Sequence, residues 1–176
     1  MHFVPSALLL AFCLAGAAFL FGYASRRWPG LHSALPRHRL AGTLLGALCL
    51  IWAAVHANAM LEGDLARFRI IVKALVPVVV VLAYFHLDYL LARALGGLLL
   101  LLVNHVLQAG FAAQVPWRPV FSTVCYIVGI AGMFLVAVPW RLRDGIGLSA
   151  DSAKWRLALC LGSGIAALVI AGLALA

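Results

Sequence analysis

Long runs of apolar residues, separated by short polar segments, dominate the hydrophobicity pattern of this chain. A helix needs about 20 mostly apolar residues to cross a bilayer, and the chain offers such runs repeatedly. The pattern predicts an all-α fold, a polytopic membrane helix bundle of about six transmembrane helices in a single domain over residues 1–176. The predicted helices cover about residues 3–24, 40–60, 70–87, 92–113, 121–140 and 157–176.

The polar segment after the first run marks where its helix ends. Residues 25–30 combine two arginines, an interfacial tryptophan and the helix breakers Pro29 and Gly30. A cleaved signal peptide carries basic residues before its apolar stretch, whereas Met1–Pro5 contains neither Lys nor Arg. We therefore expect the first run to remain as a membrane helix.

The run from Ile70 to Ala113 is too long for a single span. As one helix it would extend about 66 Å at 1.5 Å per residue, about twice the hydrocarbon thickness of a bilayer. It must therefore fold back once. The charged stretch from Leu87 to Arg93 is the expected position of the turn.

Composition excludes a water-soluble domain, and it indicates that the net positive charge serves to orient the chain in a membrane. The chain is 66% hydrophobic and 10% charged, against about 45–50% and about 25% in soluble domains. The net charge of +8 arises from Lys and Arg between apolar runs, which is the pattern that orients membrane proteins and attracts anionic lipid headgroups. We therefore expect the lipid bilayer and anionic headgroups as partners and no nucleic acid, and the pattern leaves other membrane subunits open as further partners.

The distribution of basic residues predicts the orientation. The first, third and fifth connections carry nine of the 13 Lys and Arg residues, and the opposite side carries Arg67, Arg69, Lys73 and Arg118. Since basic residues concentrate on the cytoplasmic face, the odd connections are expected inside. The chain is predicted to be a multi-pass protein of a bacterial inner membrane, with both termini in the periplasm.

Rows of small residues predict close helix packing, because small side chains let membrane helices approach each other. The second predicted helix has such a row at Gly42, Gly46, Cys49 and Ala53. Similar rows recur in the first, fifth and sixth helices. Contacts within this chain and contacts with other subunits both fit these rows.

Polar side chains inside the predicted spans are the candidates for a site, because such groups are costly in lipid and often functional. Counted from the outer helix ends, His105 lies about 12 Å deep and His56 about 6 Å. An outward-facing polar pocket between the second, third and fourth helices follows as a hypothesis; alternatively, each side chain bonds a neighbouring helix. The ligand or cofactor candidates are His56, Lys73, Asn104, His105 and Gln108.

Three functions remain open. No predicted helix holds a deep Asp or Glu, which argues against a proton-coupled pump and a carboxylate metal site. The sequence also shows no catalytic constellation, so we expect no catalytic residues, no metal site and no enzyme activity. With its short loops and small-residue rows, the chain fits best an accessory, assembly or structural subunit of a larger membrane complex. The second is a small-solute binding or transport component. Six helices in about 180 residues, with the row Ala7, Ala11 and Ala15, resemble the substrate-binding subunits of energy-coupling-factor transporters, a likeness that implies no substrate residue. The third is a haem b protein with His56 and His105 as axial ligands.

Overall fold

The computed structural model describes residues 3–28 and 30–175, and these residues form helices and short connections with no strand. Six helices are long and apolar enough to cross a membrane, so the all-α membrane helix bundle is confirmed. In chain order the helices are α1 (Phe3–Arg27), α2 (Leu31–Ala34), α3 (Arg39–Met60), α4 (Arg69–His86), α5 (Leu90–Ala112), α6 (Arg118–Ala137), α7 (Trp140–Asp151) and α8 (Ala153–Leu175).

The observed helix ends differ from the predicted ones by a few residues. The turn between α4 and α5 lies at residues 87–89, inside the predicted stretch, and Arg93 belongs to α5. Tyr89 makes this turn without Gly or Pro by adopting a left-handed conformation with φ 55°. At α3, the His38 Nδ1 accepts a hydrogen bond from the Ala41 N–H at 3.2 Å and caps the helix. The predictions that involve Met1, His2, Pro29 and Ala176 lie outside the described residues.

Helix α5 lies at the centre of the bundle, where it contacts α1, α3 and α6. The most extensive contact in the molecule joins α1 to α8. The main hydrophobic core forms where α1, α5, α6 and α8 meet. It contains Ala7, Leu10, Ala11, Leu14, Leu102, Val103, Val106, Val115, Phe121, Cys125, Val128, Ala167, Ile170 and Ala174.

Helix α4 lies at the edge of the bundle and packs mainly against α3. None of its residues is buried, and Ile70, Phe85 and Ile71 are 77%, 69% and 58% exposed. A cavity of about 190 Å³ between α3 and α4 is lined only by Leu50, Ala53, Ala54, Ala57, Val72, Leu75, Val76 and Val79. The outer surface of α4 is therefore available to lipid or to another protein.

Glycines bring helix backbones into direct contact, as the small-residue rows predict. A Cβ atom on Gly42 of α3 would lie 2.6 Å from the Leu91 backbone nitrogen of α5. On the other side of α5, a Cβ on Gly96 would lie 2.7 Å from the Gly132 carbonyl oxygen of α6. The central helix is thus fixed on two sides by positions that exclude any side chain.

The two short helices α2 and α7 cover the end of the bundle where α1 and α6 end and α3, α5 and α8 begin. We call it the basic end, since nine of the 13 Lys and Arg residues lie there. Leu142, Ile146 and Ser149 of α7 are buried, and they lie on one helix face at spacings of four and three. From its sequence pattern, the segment that forms α7 is predicted only as a polar connection.

Candidate functional site

Three aromatic rings meet between α3 and α5. Trp52 and His56 lie one turn apart on α3, and His105 faces them from α5. The ring centroid of His105 is 6.2 Å from that of His56 and 5.9 Å from that of Trp52, and the two imidazole planes are nearly perpendicular. The His56 Nδ1 lies 3.1 Å from the Trp52 carbonyl oxygen of its own helix. The structure therefore brings two predicted candidate residues into contact.

The depths expected for the two histidines placed them about 6 Å apart along the bundle, yet their rings touch. His105 lies beside both Trp52 and His56, which are one turn apart on α3, so its ring reaches across the expected difference in depth. The expected difference in depth therefore does not argue against a shared site at His56 and His105.

Trp52 bears directly on haem binding at this pair. Its ring centroid is 6.0 Å from that of His56 and 5.9 Å from that of His105, so the indole lies close to the plane midway between the imidazoles. A porphyrin whose iron binds both histidines occupies that plane. The side chains as arranged do not fit haem, and Trp52 would have to move to admit it.

Asn104 and Gln108 form an amide pair on the exposed face of α5. The Gln108 Nε2 donates to the Asn104 Oδ1 at 3.2 Å, and both side chains are exposed. Among the described residues, the Asn104 Nδ2 and the Gln108 Oε1 have no further hydrogen-bond partner. These two candidates adjoin each other, but their amides point outward from the bundle.

Lys73 stays apart from the other candidates. It is exposed on α4, one turn after Arg69, and the cavity between α3 and α4 is lined by apolar residues alone. An exposed lysine near a helix end extends its amine along the apolar surface toward the headgroups. The five candidates therefore separate into a ring cluster, an amide pair and a single lysine.

Tyr89 organises a polar cluster at the basic end that sequence analysis missed. The Arg37 Nη2 donates to the Tyr89 hydroxyl oxygen at 3.0 Å, and the Arg37 guanidinium lies over the ring at 5.0 Å from its centroid. The Arg143 Nη1 donates to the same hydroxyl at 3.4 Å. Tyr89 thereby links the connection before α3 to α7.

Asp144 completes this cluster by pairing with Arg143, whose Nη2 lies 3.0 Å from the Asp144 Oδ1. The hydrogen bond with Asp144, with further contributions from Tyr89 and from the Asp144 charge, raises the pKa of the Arg143 guanidinium. The Arg143–Asp144 pair is the one salt bridge among the described residues. The cluster fixes the fold of the basic end and holds no free acid or base.

Arg93 bonds a neighbouring helix and not the nearby Asp88. Its Nη1 donates to the Val136 carbonyl oxygen near the end of α6 at 2.8 Å. Because Arg93 belongs to α5 and Asp88 to the preceding turn, the two side chains are directed differently. Arg93 therefore holds α5 to α6.

The described residues contain no group of three or more His, Cys, Asp and Glu side chains that would hold a metal ion. The four cysteines are free thiols within the membrane helices. No protein-family model, no characterised protein and no solved structure matches this chain.

Proposed function

We propose that this protein is a non-catalytic subunit of a larger membrane complex, and that it binds its partner through the exposed face of α5. This surface, the amide face, consists of the half-buried Gly97 and Leu101 and the exposed Asn104, Gln108 and Phe111. The exposed amide pair carries the proposal, because amides at membrane depth need hydrogen-bonding partners that lipid tails do not offer.

The position of the amide pair along α5 places it well inside the span. Asn104 lies 14 residues after Leu90 and eight before Ala112, the ends of the helix. Transfer of an unpaired amide from water to hydrocarbon costs about 4–8 kcal/mol. Side chains of a neighbouring helix that donate or accept hydrogen bonds would satisfy the Asn104 Nδ2 and the Gln108 Oε1.

The rest of the amide face has the shape that a partner helix requires. Its members recur at alternating spacings of four and three residues, which is the pattern of a helix–helix contact. A Cβ on Gly97 would meet no atom within 4 Å, so the surface is open at that position. Phe111 at the other end is 47% exposed. One helix from another protein would pack along the whole row.

Purification of the tagged protein from its native membranes in a mild detergent tests the proposal. We expect a stable partner, and we expect a photo-crosslinking amino acid at Leu101 to join that partner, whereas the same probe at Leu161 of α8, which is 57% exposed, does not. Recovery of only free monomer, or of complexes that contain only this chain, would contradict the proposal.

The double variant Asn104→Leu, Gln108→Leu tests the amides themselves. Hydrogen bonds between membrane helices contribute about 0.6 kcal/mol each, so the loss of two should weaken partner recovery about sevenfold. Thr123→Val is the matched control: Thr123 is exposed on α6, but its hydroxyl already donates to the Pro119 carbonyl oxygen at 2.7 Å. Equal losses in both variants would show that the amide face is not the contact.

A second candidate function, the binding of a small solute or cofactor, is favoured by the contact between His56 and His105. Haem b is one such ligand, on condition that Trp52 moves. An absorption spectrum of the purified protein tests for haem. We expect no Soret band, because Trp52 lies where a porphyrin between the two imidazoles would have to fit. A Soret band that disappears in both His56→Ala and His105→Ala would instead assign haem to this cluster.

A further inference from the structure

A π-helical turn near the end of α1 directs the basic residues that follow it. Residues Leu20–Ala24 form this turn, and the Ser25 N–H donates to the Leu20 carbonyl oxygen five residues earlier. The extra residue in the turn rotates everything after it by about 100° relative to a regular helix. Such turns occur frequently at functional sites, and this one determines where Arg26 and Arg27 point.

A pocket of about 360 Å³ lies beside this turn, where α1 ends and α8 begins. Gly22 allows the two helices to approach, since a Cβ there would lie 2.9 Å from the Cys160 Sγ. The pocket is lined by Gly22, Tyr23, Arg26, Arg27 and Arg156. Three arginines, one of them in the first turn of α8, thus line one space.

Among the residues that the structure describes, no anionic side chain neutralises these three arginines. The pocket lining includes no carboxylate, and none of the three guanidinium groups has a hydrogen-bond or ion-pair partner among the described residues. Tyr23 is 55% exposed, and its ring stacks on Phe19 with centroids 5.4 Å apart. The pocket therefore presents unneutralised positive charge beside apolar and aromatic surface.

A neighbouring pocket of similar size provides the contrast. It measures about 340 Å³ and is lined by Arg37, Arg39, Asp88, Tyr89 and two leucines. Asp88 supplies a negative charge there, and Arg37 already donates to Tyr89. Within the described part of the chain, the second pocket therefore offers one unpartnered arginine, Arg39, beside a carboxylate, whereas the first offers three unpartnered arginines and no carboxylate in its lining.

We propose that the pocket of Arg26, Arg27 and Arg156 binds a phosphate ester, supplied by the headgroup of an anionic lipid or by a soluble phosphate compound. Guanidinium groups form paired, charge-assisted hydrogen bonds to phosphate oxygens. The position of the pocket at the end of two membrane-spanning helices, with Tyr23 beside it, suits a lipid whose acyl chains lie along α1 and α8. This proposal does not rest on the amide face and stands if that face binds nothing.

Lipid binding to the purified full-length protein, followed by native mass spectrometry, tests the site. Phosphatidylglycerol is compared with phosphatidylcholine in a neutral detergent, and inorganic phosphate is added as a soluble competitor. The test variant is Arg26→Gln, Arg27→Gln, Arg156→Gln. The control variant, Arg39→Gln, Arg141→Gln, Lys154→Gln, removes the same net charge from the same end of the molecule without removing a hydrogen bond or ion pair of the described residues.

We expect the wild type and the control to bind phosphatidylglycerol more tightly than phosphatidylcholine, and the test variant to bind it about tenfold or more weakly. If millimolar inorganic phosphate displaces the lipid from the wild type, the site is assigned to soluble phosphate esters. If the lipid stays bound, the site is assigned to the lipid headgroup. Equal weakening in both variants, or no lipid preference at all, would overturn the proposal.

A second variant keeps the test decisive if the glutamine variant fails to fold. Arg26→Lys, Arg27→Lys, Arg156→Lys retains every charge but removes the planar, paired donors of the guanidinium groups. We expect it to elute and melt as the wild type does while its preference for phosphatidylglycerol decreases several-fold. An unchanged preference would show that net charge alone attracts the lipid, and this would contradict a specific binding site made by the three guanidinium groups.

Discussion

Two adjacent glycines of α5 have opposite surroundings, although the sequence does not distinguish them. A Cβ on Gly96 would lie 2.7 Å from the Gly132 carbonyl oxygen and 2.9 Å from the Leu135 Cβ, whereas a Cβ on Gly97 would meet nothing within 4 Å. A single methyl group therefore tests whether α5 and α6 pack as closely as the structure shows.

We expect Gly96→Ala to destabilise the protein by about 1–3 kcal/mol, because the two backbones must move apart to admit the methyl group. Gly97→Ala is the control, and it should be neutral or stabilise by up to about 1 kcal/mol through its higher helix propensity. Thermal unfolding of the two purified variants in the same detergent measures the difference. Equal unfolding temperatures would contradict the close contact at Gly96.

The rare polar residues inside the apolar runs are visible in the sequence, but the residues that contact them in the fold are not. His56 and His105 stand out as rare polar groups in apolar runs, and the spacing of Asn104 and Gln108 predicts a shared helix face. The contact between the two histidines depends on the relative levels of two helices, which no local pattern encodes. The bonds of Tyr89 to Arg37 and Arg143 join residues more than 50 positions apart.

At the scale of elements, α4 and α5 are both strongly apolar spans, yet their environments differ. In the most apolar 18-residue window of each, no residue of α4 is buried, whereas 44% of α5 is buried. Their hydropathy predicts that both cross the membrane, but it does not tell a central helix from a peripheral one. The difference arises from packing, which depends on all the other helices.

Matched leucine truncations measure this difference. Leu102 of α5 is fully buried, and Leu82 of α4 is 53% exposed. We expect Leu102→Ala to cost about 2–5 kcal/mol by leaving a cavity, and Leu82→Ala to change the unfolding free energy of the isolated protein by less than about 0.5 kcal/mol. Both are measured by denaturant or thermal unfolding. A large effect at Leu82 would indicate that α4 is packed more tightly than the structure shows.

Helix α7 was missed because its periodic pattern is short. Its buried face consists of Leu142, Ile146 and Ser149, and charged residues and glycines separate them. Twelve residues with only two buried aliphatic side chains resemble a polar connection. The helix forms because its apolar face covers the end of the bundle, where Ala92, Leu135 and Phe21 pack against it.

At the scale of the whole molecule, the basic end provides a test of the predicted orientation. Single cysteines are introduced at two exposed positions, Gln114 and Asp151, which lie at opposite ends of the bundle. The background lacks the native thiols Cys13, Cys49, Cys125 and Cys160. Since basic residues favour the cytoplasm, a membrane-impermeant maleimide should label Gln114→Cys in intact cells and Asp151→Cys only after permeabilisation.

The reverse labelling pattern would show that the basic end faces outward. Equal labelling of both positions in intact cells would indicate mixed orientation. The same variants, labelled in detergent, show whether both thiols react when no membrane is present. This control separates the effect of the membrane from local burial of the introduced cysteine.

The extensive contact between α1 and α8 has a consequence for biosynthesis. A ribosome produces α1 first among the six spans and α8 last, so α1 must wait in the bilayer without its main partner while everything between them is inserted. Closure of the bundle is therefore a late, post-insertional event. During that interval the small-residue row of α1 lies open to lipid.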